Sequence, residues 1–451
     1  MTALLLLIVV AIAALPAAYV AAALPAIWLA QGTLLGEHAA LFGAVTGADL
    51  VLFTLIGKAI FSVVRTRELV THRALYPAFA VFMLVNLLAT LASGVKFADA
   101  PVMHGITALL RVGSEFALVP ILAQTVKSLP QARRCAGIVI ITLGVLVAIQ
   151  FINFFGASRG ITIGEVQGIE RGEVRYFGPM GDSVGTVLLL GYLYSLCASS
   201  VVGAGAFFGG IMLTAGLGAV FSLGIGTWLF LLFGLRASAA RAFLARYYWL
   251  LPVLAFAGLM VILTIGGPLS KTLIDRLTGG GYSESAGQRM ASGSFAVAMI
   301  SDNPLTGVGY LGYESALARY GGERAFNLAH PDGATGNANN QILQVLADAG
   351  VPGLCAFGWL IFCAARLLRE LSKQSDDRFL ATFFLGAFVW LLAQVLGNQT
   401  AVWLLPGSYV ARFLWIMVGT GVAVAKLLPS ERLQPSPDAQ TDRPQTSLVS
   451  A

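Results

Sequence analysis

Long apolar runs separated by short polar segments account for most of the chain. Since about 20 helical residues cross the hydrocarbon core of a bilayer, each run is predicted to be a transmembrane helix. The runs are too long and continuous for the strands of a membrane barrel. The pattern therefore predicts an all-α, polytopic transmembrane bundle of about twelve spans: 3–31, 39–64, 75–94, 104–126, 135–156, 184–200, 203–217, 218–235, 248–267, 341–365, 379–397 and 408–428.

The predicted spans fall into two groups. Residues 1–267 are expected to form an N-terminal bundle of about nine spans, and residues 341–428 a C-terminal set of three. The first span lacks a basic leader, so we interpret it as retained; Pro16 and Pro25 are compatible with one broken helix or two short ones. The tail at 429–451, rich in Pro, Ser, Gln and Asp, is expected to be disordered.

The apolar pattern is interrupted once for a long stretch, by a polar segment at 268–340. Helical periodicity begins at Ser283 and ends at Asn303–Pro304, because proline disfavours helical geometry in the preceding residue. Three glycines that follow predict a flexible turn, and a second short helix is predicted at 313–320. We interpret this segment as a partly helical lid over the mouth of the bundle. In the span that follows it, the glycines and the proline at 350–353 are expected to interrupt the first half.

Composition supports the membrane assignment. Of the 451 residues, 57% are hydrophobic and 11% charged, against about 25% charged in soluble domains. The formal charge of +6 comes mostly from arginines in short loops and does not indicate nucleic-acid binding. The four cysteines lie in or beside apolar segments without metal-ligand spacing, so we interpret them as small packing residues. The sequence shows neither a glycine-rich nucleotide loop nor a metal-ligand cluster, so no cofactor is predicted.

Basic residues predict the orientation, because short cytoplasmic loops are enriched in Lys and Arg. With the N-terminus in the cytoplasm, the inside segments are 65–74, 127–134, 236–247, 366–378 and the tail. They hold 16 basic residues, whereas the short outer loops hold five: Lys96, Arg159, Arg171, Arg175 and Arg412. Both termini are therefore predicted to be cytoplasmic, with 157–183 and 268–340 on the periplasmic face.

Charged residues at membrane depth are candidate functional groups because they are costly in lipid. Arg111 and Glu115 lie four residues apart in the fourth predicted span and therefore share one helix face. They are expected either to contact a substrate or to pair and lock helix packing. Arg175 lies near the start of the sixth span, where its guanidinium suits a lipid-linked phosphate. The alternative for Arg175 is an exposed loop of mixed charge.

The long outer segment supplies the remaining candidates, which are polar groups suited to a hydroxyl-rich, anionic ligand. They are Arg276, Arg289, His330, Asp332, Asn339 and Asn340. Arginine stabilises negative charge on a departing phosphate. A carboxylate or histidine accepts the proton of a hydroxyl, and asparagine orients sugar hydroxyls. For His330, a solvent-exposed loop position is the alternative.

Two stretches carry family signatures. Arg289 precedes a helix that ends in NPLTGVGY at 303–310, and NNQILQVLADAGVPG follows at 339–353. They resemble the Pro-x-x-Gly-x-Gly and His-Asn-x-x-Leu-x-x-x-x-Glu-x-Gly-x-x-Gly signatures of the O-antigen ligase and polymerase superfamily. The resemblance is close over about 286–354 and architectural elsewhere. Asn339 stands where many members, ligases especially, carry histidine.

The resemblance implies a glycosyltransferase of the bacterial inner membrane, a polysaccharide polymerase that joins undecaprenyl-diphosphate-linked repeat units at the periplasmic face. Arg175 and Arg289 would hold the diphosphate, the paired asparagines would position the substrate, and His330 or Asp332 would assist the acceptor hydroxyl. Because the bond between the glycan and its lipid diphosphate carries the energy, no metal or nucleotide is expected. A chain-length regulator and a flippase of the same pathway are candidate partners, besides the lipid bilayer itself.

Two other functions stay open. A ligase would move finished polymer from the lipid carrier to another acceptor; the departure at Asn339 argues against it, unless His330 replaces the missing histidine. A transporter or flippase is compatible with twelve spans, and Arg111 and Glu115 would then line its pathway. Against transport, the sequence shows no clear internal repeat, and its polar residues are concentrated in one outer segment.

Overall fold

The computed structural model describes residues 14–35, 40–42, 45–68, 70–97, 100–167, 175–178, 180, 183–214, 217–234, 282–320, 337–397 and 408–432. The predicted span at 248–267 and nearly all of the predicted tail lie outside these residues. The statements below refer to the described ranges.

The described chain is mostly helical. Its helices are α1 (Ala17–Leu35), α2 (Gly47–Thr66), α3 (Leu75–Lys96), α4 (Val102–Phe116), α5 (Leu118–Thr125), α6 (Leu129–Gly156), α7 (Val184–Cys197), α8 (Val201–Leu213), α9 (Leu217–Gly234), α10 (Tyr282–Asp302), α11 (Gln341–Gln374), α12 (Arg378–Gly397) and α13 (Tyr409–Arg432). Residues 313–320 are also helical. The predicted helices of the polar segment are thus confirmed at 282–302 and 313–320.

Two short antiparallel hairpins interrupt the helices. Strand β1 (Ala40–Phe42) pairs with β2 (Val45–Thr46), and β3 (Glu165–Gln167) pairs with β4 (Arg175–Gly178). The first hairpin lies where a span was predicted to begin at 39, and α2 instead begins at Gly47. The second hairpin lies in the segment 157–183, for which no strand was predicted. These pairings give backbone N–H and C=O groups the partners that water would otherwise supply.

Six segments of the described chain are long and apolar enough to cross a membrane. They are Leu75–Lys96, Val102–Thr125, Leu129–Gly156, Gln341–Gln374, Arg378–Gly397 and Tyr409–Leu428. All six coincide with predicted spans, so the all-α, polytopic membrane fold is confirmed. Helices α7 and α8 are apolar but shorter, with 14 and 13 residues. The count of twelve spans stays a prediction.

Proline and glycine break two of the long segments. Pro120 has no N–H to offer the carbonyl of Phe116, and the helix is interrupted at Ala117, between α4 and α5. In α11, Gly350 has φ 64° and ψ −166°, so that α11 consists of two pieces, 341–349 and 351–374. The interruption predicted at this glycine is confirmed. It turns the first piece of α11 away from the axis of the second.

Helix α13 forms the centre of the described bundle. Nearly every residue from Val410 to Val424 is buried, and the helix packs against α5, α6 and α11. Aromatic rings add directional contacts beside it: Phe79 stacks on Phe116 with ring centroids 3.6 Å apart, and Trp415 meets Phe116 edge-on at 5.2 Å. The core therefore positions α3, α4 and α11 around α13.

Candidate functional site

At one end of the bundle, which we call the loop end, residues 304–309 pack directly against the start of α11. Three backbone hydrogen bonds, which we call the interlock, join the two segments. They run from Val308 N to Ala347 O (2.8 Å), from Gly309 N to Asp348 O (2.9 Å) and from Val351 N to Pro304 O (2.8 Å). The interlock joins the two signature stretches of the sequence into one unit.

Glycines permit this close approach. Gly307 and Gly350 have φ of 62° and 64°, a region that L side chains disfavour. A Cβ on Gly307 would lie 2.3 Å from the carbonyl carbon of Asp348, and one on Gly350 would lie 2.5 Å from the carbonyl oxygen of Pro304. Glycine at these two signature positions is therefore required by backbone packing. The turn predicted to be flexible is closely packed instead.

Beyond the interlock, the chain enters the bundle at Tyr310. Its N–H donates to Thr90 Oγ1 on α3 at 3.2 Å, and a Cβ on Gly105 of α4 would lie 2.9 Å from its carbonyl oxygen. The buried Tyr310 ring meets Phe82 edge-on, with ring centroids 6.4 Å apart. Residues 304–310 are thus anchored between α3, α4 and α11.

Asp348 occupies the position of the glutamate in the second signature and is buried, with 1% exposure. Its Oδ2 accepts from Gln344 Nε2 at 3.0 Å, and Gln344 Oε1 accepts from the N–H of Ala338 at 2.8 Å. A buried carboxylate requires such partners to offset its loss of water. Asp348 therefore links the residues before α11 to the interlock, which is a positioning role.

The two predicted asparagines lie at the start of α11. Asn340 is its N-cap, and its Oδ1 accepts from the N–H groups of Ile342 and Leu343, each at 3.0 Å. Asn339 has a φ of 50°, in the left-handed region that asparagine and histidine enter more readily than most residues. The backbone at this position is thus compatible with the histidine of the second signature.

Asn339 also lies beside the helix of Arg289. Asn339 Nδ2 donates to Ser292 Oγ at 3.4 Å, and Tyr313 Oη donates to the Ser292 carbonyl at 2.6 Å. Burial raises the pKa of Tyr313 to about 12, so that the phenol keeps the proton it donates. Arg289 precedes Ser292 by three residues, about one turn of α10. The structure therefore brings the backbone of Arg289 close to Asn339.

Two cations at the loop end were not among the predicted site residues. Lys96 Nζ donates to Asn303 Oδ1, and Asn303 Nδ2 donates to Tyr320 Oη at 3.0 Å. Lys96 Nζ and the guanidinium carbon of Arg319 lie 5.4 and 4.1 Å from the centre of the Phe97 ring. Lys96 could have been found from the sequence, because it is a lysine at the end of an apolar helix. The count of basic residues used it only to predict the orientation.

Glu115 pairs with Arg412 rather than with Arg111. Arg412 Nε donates to Glu115 Oε1 at 3.0 Å, and both side chains are buried, with 6% and 2% exposure. Arg111 is exposed although it lies on the same helix, so of the two alternatives for these residues, pairing with each other is wrong. Arg412, assigned to an outer loop by the charge count, lies in the first turn of α13. The buried pair fixes α4 against α13.

A small cavity separates this ion pair from the outer segment. It is lined by Glu115, Tyr310, Phe82, Phe357 and Trp415, among others, and holds about 20 Å³. That is room for about one water molecule. Among the described residues, no group of three or more His, Cys, Asp or Glu side chains is placed to hold a metal ion.

The structure describes the backbone alone, or nothing, for five of the other predicted site residues. Arg175 is the first residue of β4, paired with Gln167 of β3, and β4 packs against α6 and α7. The side chains of Arg175 and Arg289 lie outside the described part of the structure, as do Arg276, His330 and Asp332 altogether. Their roles stay predictions.

A comparison with protein-family models identifies part of the chain. A family model described as O-antigen ligase matches residues 202–358. No curated protein matches the chain. The matched range contains α10, the interlock and the first piece of α11, together with Gly350 at its kink. Residues 202–358 are therefore similar to the O-antigen ligase family, which agrees with the resemblance in the sequence.

Proposed function

We propose, from the match of residues 202–358 to the O-antigen ligase family model, that the protein is a polysaccharide polymerase. Its substrates are glycan repeat units carried on undecaprenyl diphosphate, and its products are a longer glycan on the acceptor's carrier and the donor's released undecaprenyl diphosphate. The family match supports an O-antigen ligase or polymerase type of transfer in general. The observation that carries the narrower assignment is Asn339, which stands where many members of the superfamily, ligases especially, have histidine.

The proposed reaction is a displacement at the anomeric carbon of the donor glycan. The acceptor hydroxyl oxygen forms the new glycosidic bond while the bond from the anomeric carbon to the diphosphate breaks, and the diphosphate leaves with the electron pair. The hydroxyl proton passes to His330 or Asp332. Arg289 and Arg175 balance the charge that develops on the leaving diphosphate.

Preorganisation supports this assignment. The interlock and the Ser292 contacts hold the Arg289 turn of α10 beside Asn339 and the cap of α11. Fixed placement of reacting partners lowers the entropy cost of a two-substrate reaction. We propose that Asn339 and Asn340 face the sugars, and that Arg276 and Arg111 bind outlying parts of the lipid-linked substrate.

The proposed location follows from charge. Basic residues concentrate in 65–74, 127–134 and 366–378, which we assign to the cytoplasm of a bacterial cell. The loop end then faces the periplasm, where lipid-linked repeat units are assembled into chains. A chain-length regulator and a flippase of the same pathway are the proposed partners.

A gene deletion tests the function. Envelope glycans and lipid-linked intermediates are extracted and separated by size. Single repeat units without long chains are expected for a polymerase. Long chains left on the carrier lipid would instead support the ligase, the alternative that the family description favours. Units held on the cytoplasmic face would support a flippase.

Arg289→Ala tests the site. We expect this variant to accumulate in the membrane at the normal level while long polymer is lost. Arg319→Ala is the matched control, since it removes an exposed arginine from the same outer segment, and we expect polymer to persist. Normal chain length in Arg289→Ala would overturn the assigned role of Arg289.

A further inference from the structure

The end of the bundle away from the interlock, which we call the opposite end, contains a large open cavity of about 1010 Å³. Its walls come from the connection between α2 and α3, from the second piece of α11 and from the last turns of α13. Typical small-molecule sites hold about 300–1,000 Å³. The cavity is therefore large enough for the polar part of a lipid or for a comparable small molecule.

The charged side chains of this cavity favour an anion. Its basic residues are Arg67, Arg73, Arg366 and Lys426, and its acidic residues are Glu68 and Glu370. Arg366 and Glu370 already form an exposed pair at 2.7 Å. Burial lowers the pKa of His72, with opposing smaller effects from Glu370 and Arg366, so His72 is neutral near pH 7. Four basic against two acidic groups leave an excess of two positive charges.

An apolar wall adjoins the basic one. Trp359 and Phe362 line the same cavity and are 42% and 62% exposed. Trp359 precedes Arg366 by seven residues, which is about 10 Å along α11. Along α11, the lining of the cavity thus changes from aromatic to charged over about 10 Å. The upper acyl chains and the headgroup of a lipid are separated by a similar distance. Aromatic and basic side chains are the groups that anchor proteins at this boundary.

We propose that this cavity binds the headgroup of an anionic phospholipid, with its phosphate among the basic side chains and its upper acyl chains against Trp359 and Phe362. Basic pockets between membrane helices bind anionic headgroups in this manner. Free phosphate would use the charged wall alone and would leave the aromatic wall exposed. The site lies at the opposite end of α11 from the interlock and does not depend on which glycan transfer the protein performs.

The test is a binding titration of the purified full chain in detergent micelles, followed by native mass spectrometry. Phosphatidylglycerol is the probe, phosphatidylcholine is the neutral comparison and inorganic phosphate is the competitor. We expect saturable binding of phosphatidylglycerol, which the double variant Arg73→Gln/Lys426→Gln weakens about 30-fold, since each basic group near a membrane surface contributes about fivefold.

The matched control is Lys127→Gln/Lys373→Gln. It removes the same charge from two exposed lysines that do not line the cavity, and we expect unchanged binding. If the first double variant fails to fold, Arg67→Gln alone is expected to weaken binding about fivefold. Three outcomes would overturn the proposal. They are an equal loss of phosphatidylglycerol affinity in both double variants, equal binding of the two lipids, and displacement of the lipid by millimolar phosphate.

Discussion

The two ends of α11 are held in different ways. At the loop end, its first piece is joined to residues 304–309 by direct backbone hydrogen bonds, with no space for a side chain at Gly307 or Gly350. At the opposite end, its last turns face an open cavity whose charged walls are long, exposed side chains. Helix α11 thus has the closely packed interlock at one end and the open, charged cavity at the other.

The two ends of α11 therefore suit different functions, rigid positioning at the loop end and adaptable binding at the opposite end. Backbone groups have few degrees of freedom, so the interlock holds its neighbours in one arrangement, as a transfer reaction requires. Long Arg and Lys side chains adjust to headgroups of different size while their apolar stems stay packed. We therefore expect small changes at the loop end to remove both stability and activity, and changes at the opposite end to alter lipid binding only.

Gly350→Ala is expected to have the largest effect at the loop end. The left-handed backbone costs an L residue about 1–2 kcal/mol, and the new Cβ would lie 2.5 Å from the Pro304 carbonyl oxygen. We expect the free energy of unfolding to fall by more than about 2 kcal/mol and polymer formation to be lost. Unfolding in mixed micelles and glycan sizing measure the two effects.

Gly358→Ala is the matched control on the same helix. No atom lies within 4 Å of a Cβ added there, and alanine favours a helix over glycine by about 1 kcal/mol. Unchanged or slightly higher stability with normal polymer is expected. Similar losses in both variants would mean that the close approach at Gly350 has no special importance.

The sequence predicted the helices better than their contacts. Apolar run length located the six long segments, and Asn303–Pro304 located the end of α10 within one residue. Glycine and proline at 350–353 located the interruption of α11. These features depend on residues close together in the chain, which is why periodicity and turn chemistry report them.

The contacts that build the candidate site are long-range. Glu115 and Arg412 are 297 positions apart, and Tyr310 and Thr90 are 220 apart. Spacing within one helix suggested Arg111 as the partner of Glu115, but tertiary packing selected a residue on another helix. Similarly, the signature glycines suggested flexibility, and only the facing backbone reveals that they are needed for close approach.

Asp348→Ala tests the side-chain part of the loop end. It leaves the buried Gln344 amide without its 3.0 Å acceptor, and a buried unsatisfied donor costs about 1–3 kcal/mol. We expect the free energy of unfolding to fall by that amount and polymer to shorten. Asp348→Asn keeps an acceptor oxygen and is expected to restore most of the stability.

Glu370→Ala provides the comparison at the opposite end. Its pair with Arg366 is exposed, with 48% and 67% of the two side chains accessible, and exposed helical pairs contribute only about 0.3–0.5 kcal/mol. A loss from Glu370→Ala as large as that from Asp348→Ala would contradict the contrast between a closed and an open end. Chemical unfolding of both variants under one condition makes the comparison.

The smallest expected difference concerns two helix caps. Asn340 caps α11 at the loop end with two bonds of 3.0 Å, whereas the exposed Ser128 caps α6 through one bond of 3.4 Å to Gln131 N–H. Replacing a cap by alanine costs typically about 1 kcal/mol. We expect Asn340→Ala to lower the free energy of unfolding by about 1 kcal/mol and Ser128→Ala to lower it by only a few tenths of a kcal/mol. Water easily replaces the long, exposed bond of Ser128.

Asn340→Asp keeps the acceptor oxygen and should restore stability. If it also restores polymer length, Asn340 acts by holding the start of α11 beneath Asn339; if stability returns while polymer stays short, the amide nitrogen of Asn340 contacts the glycan itself.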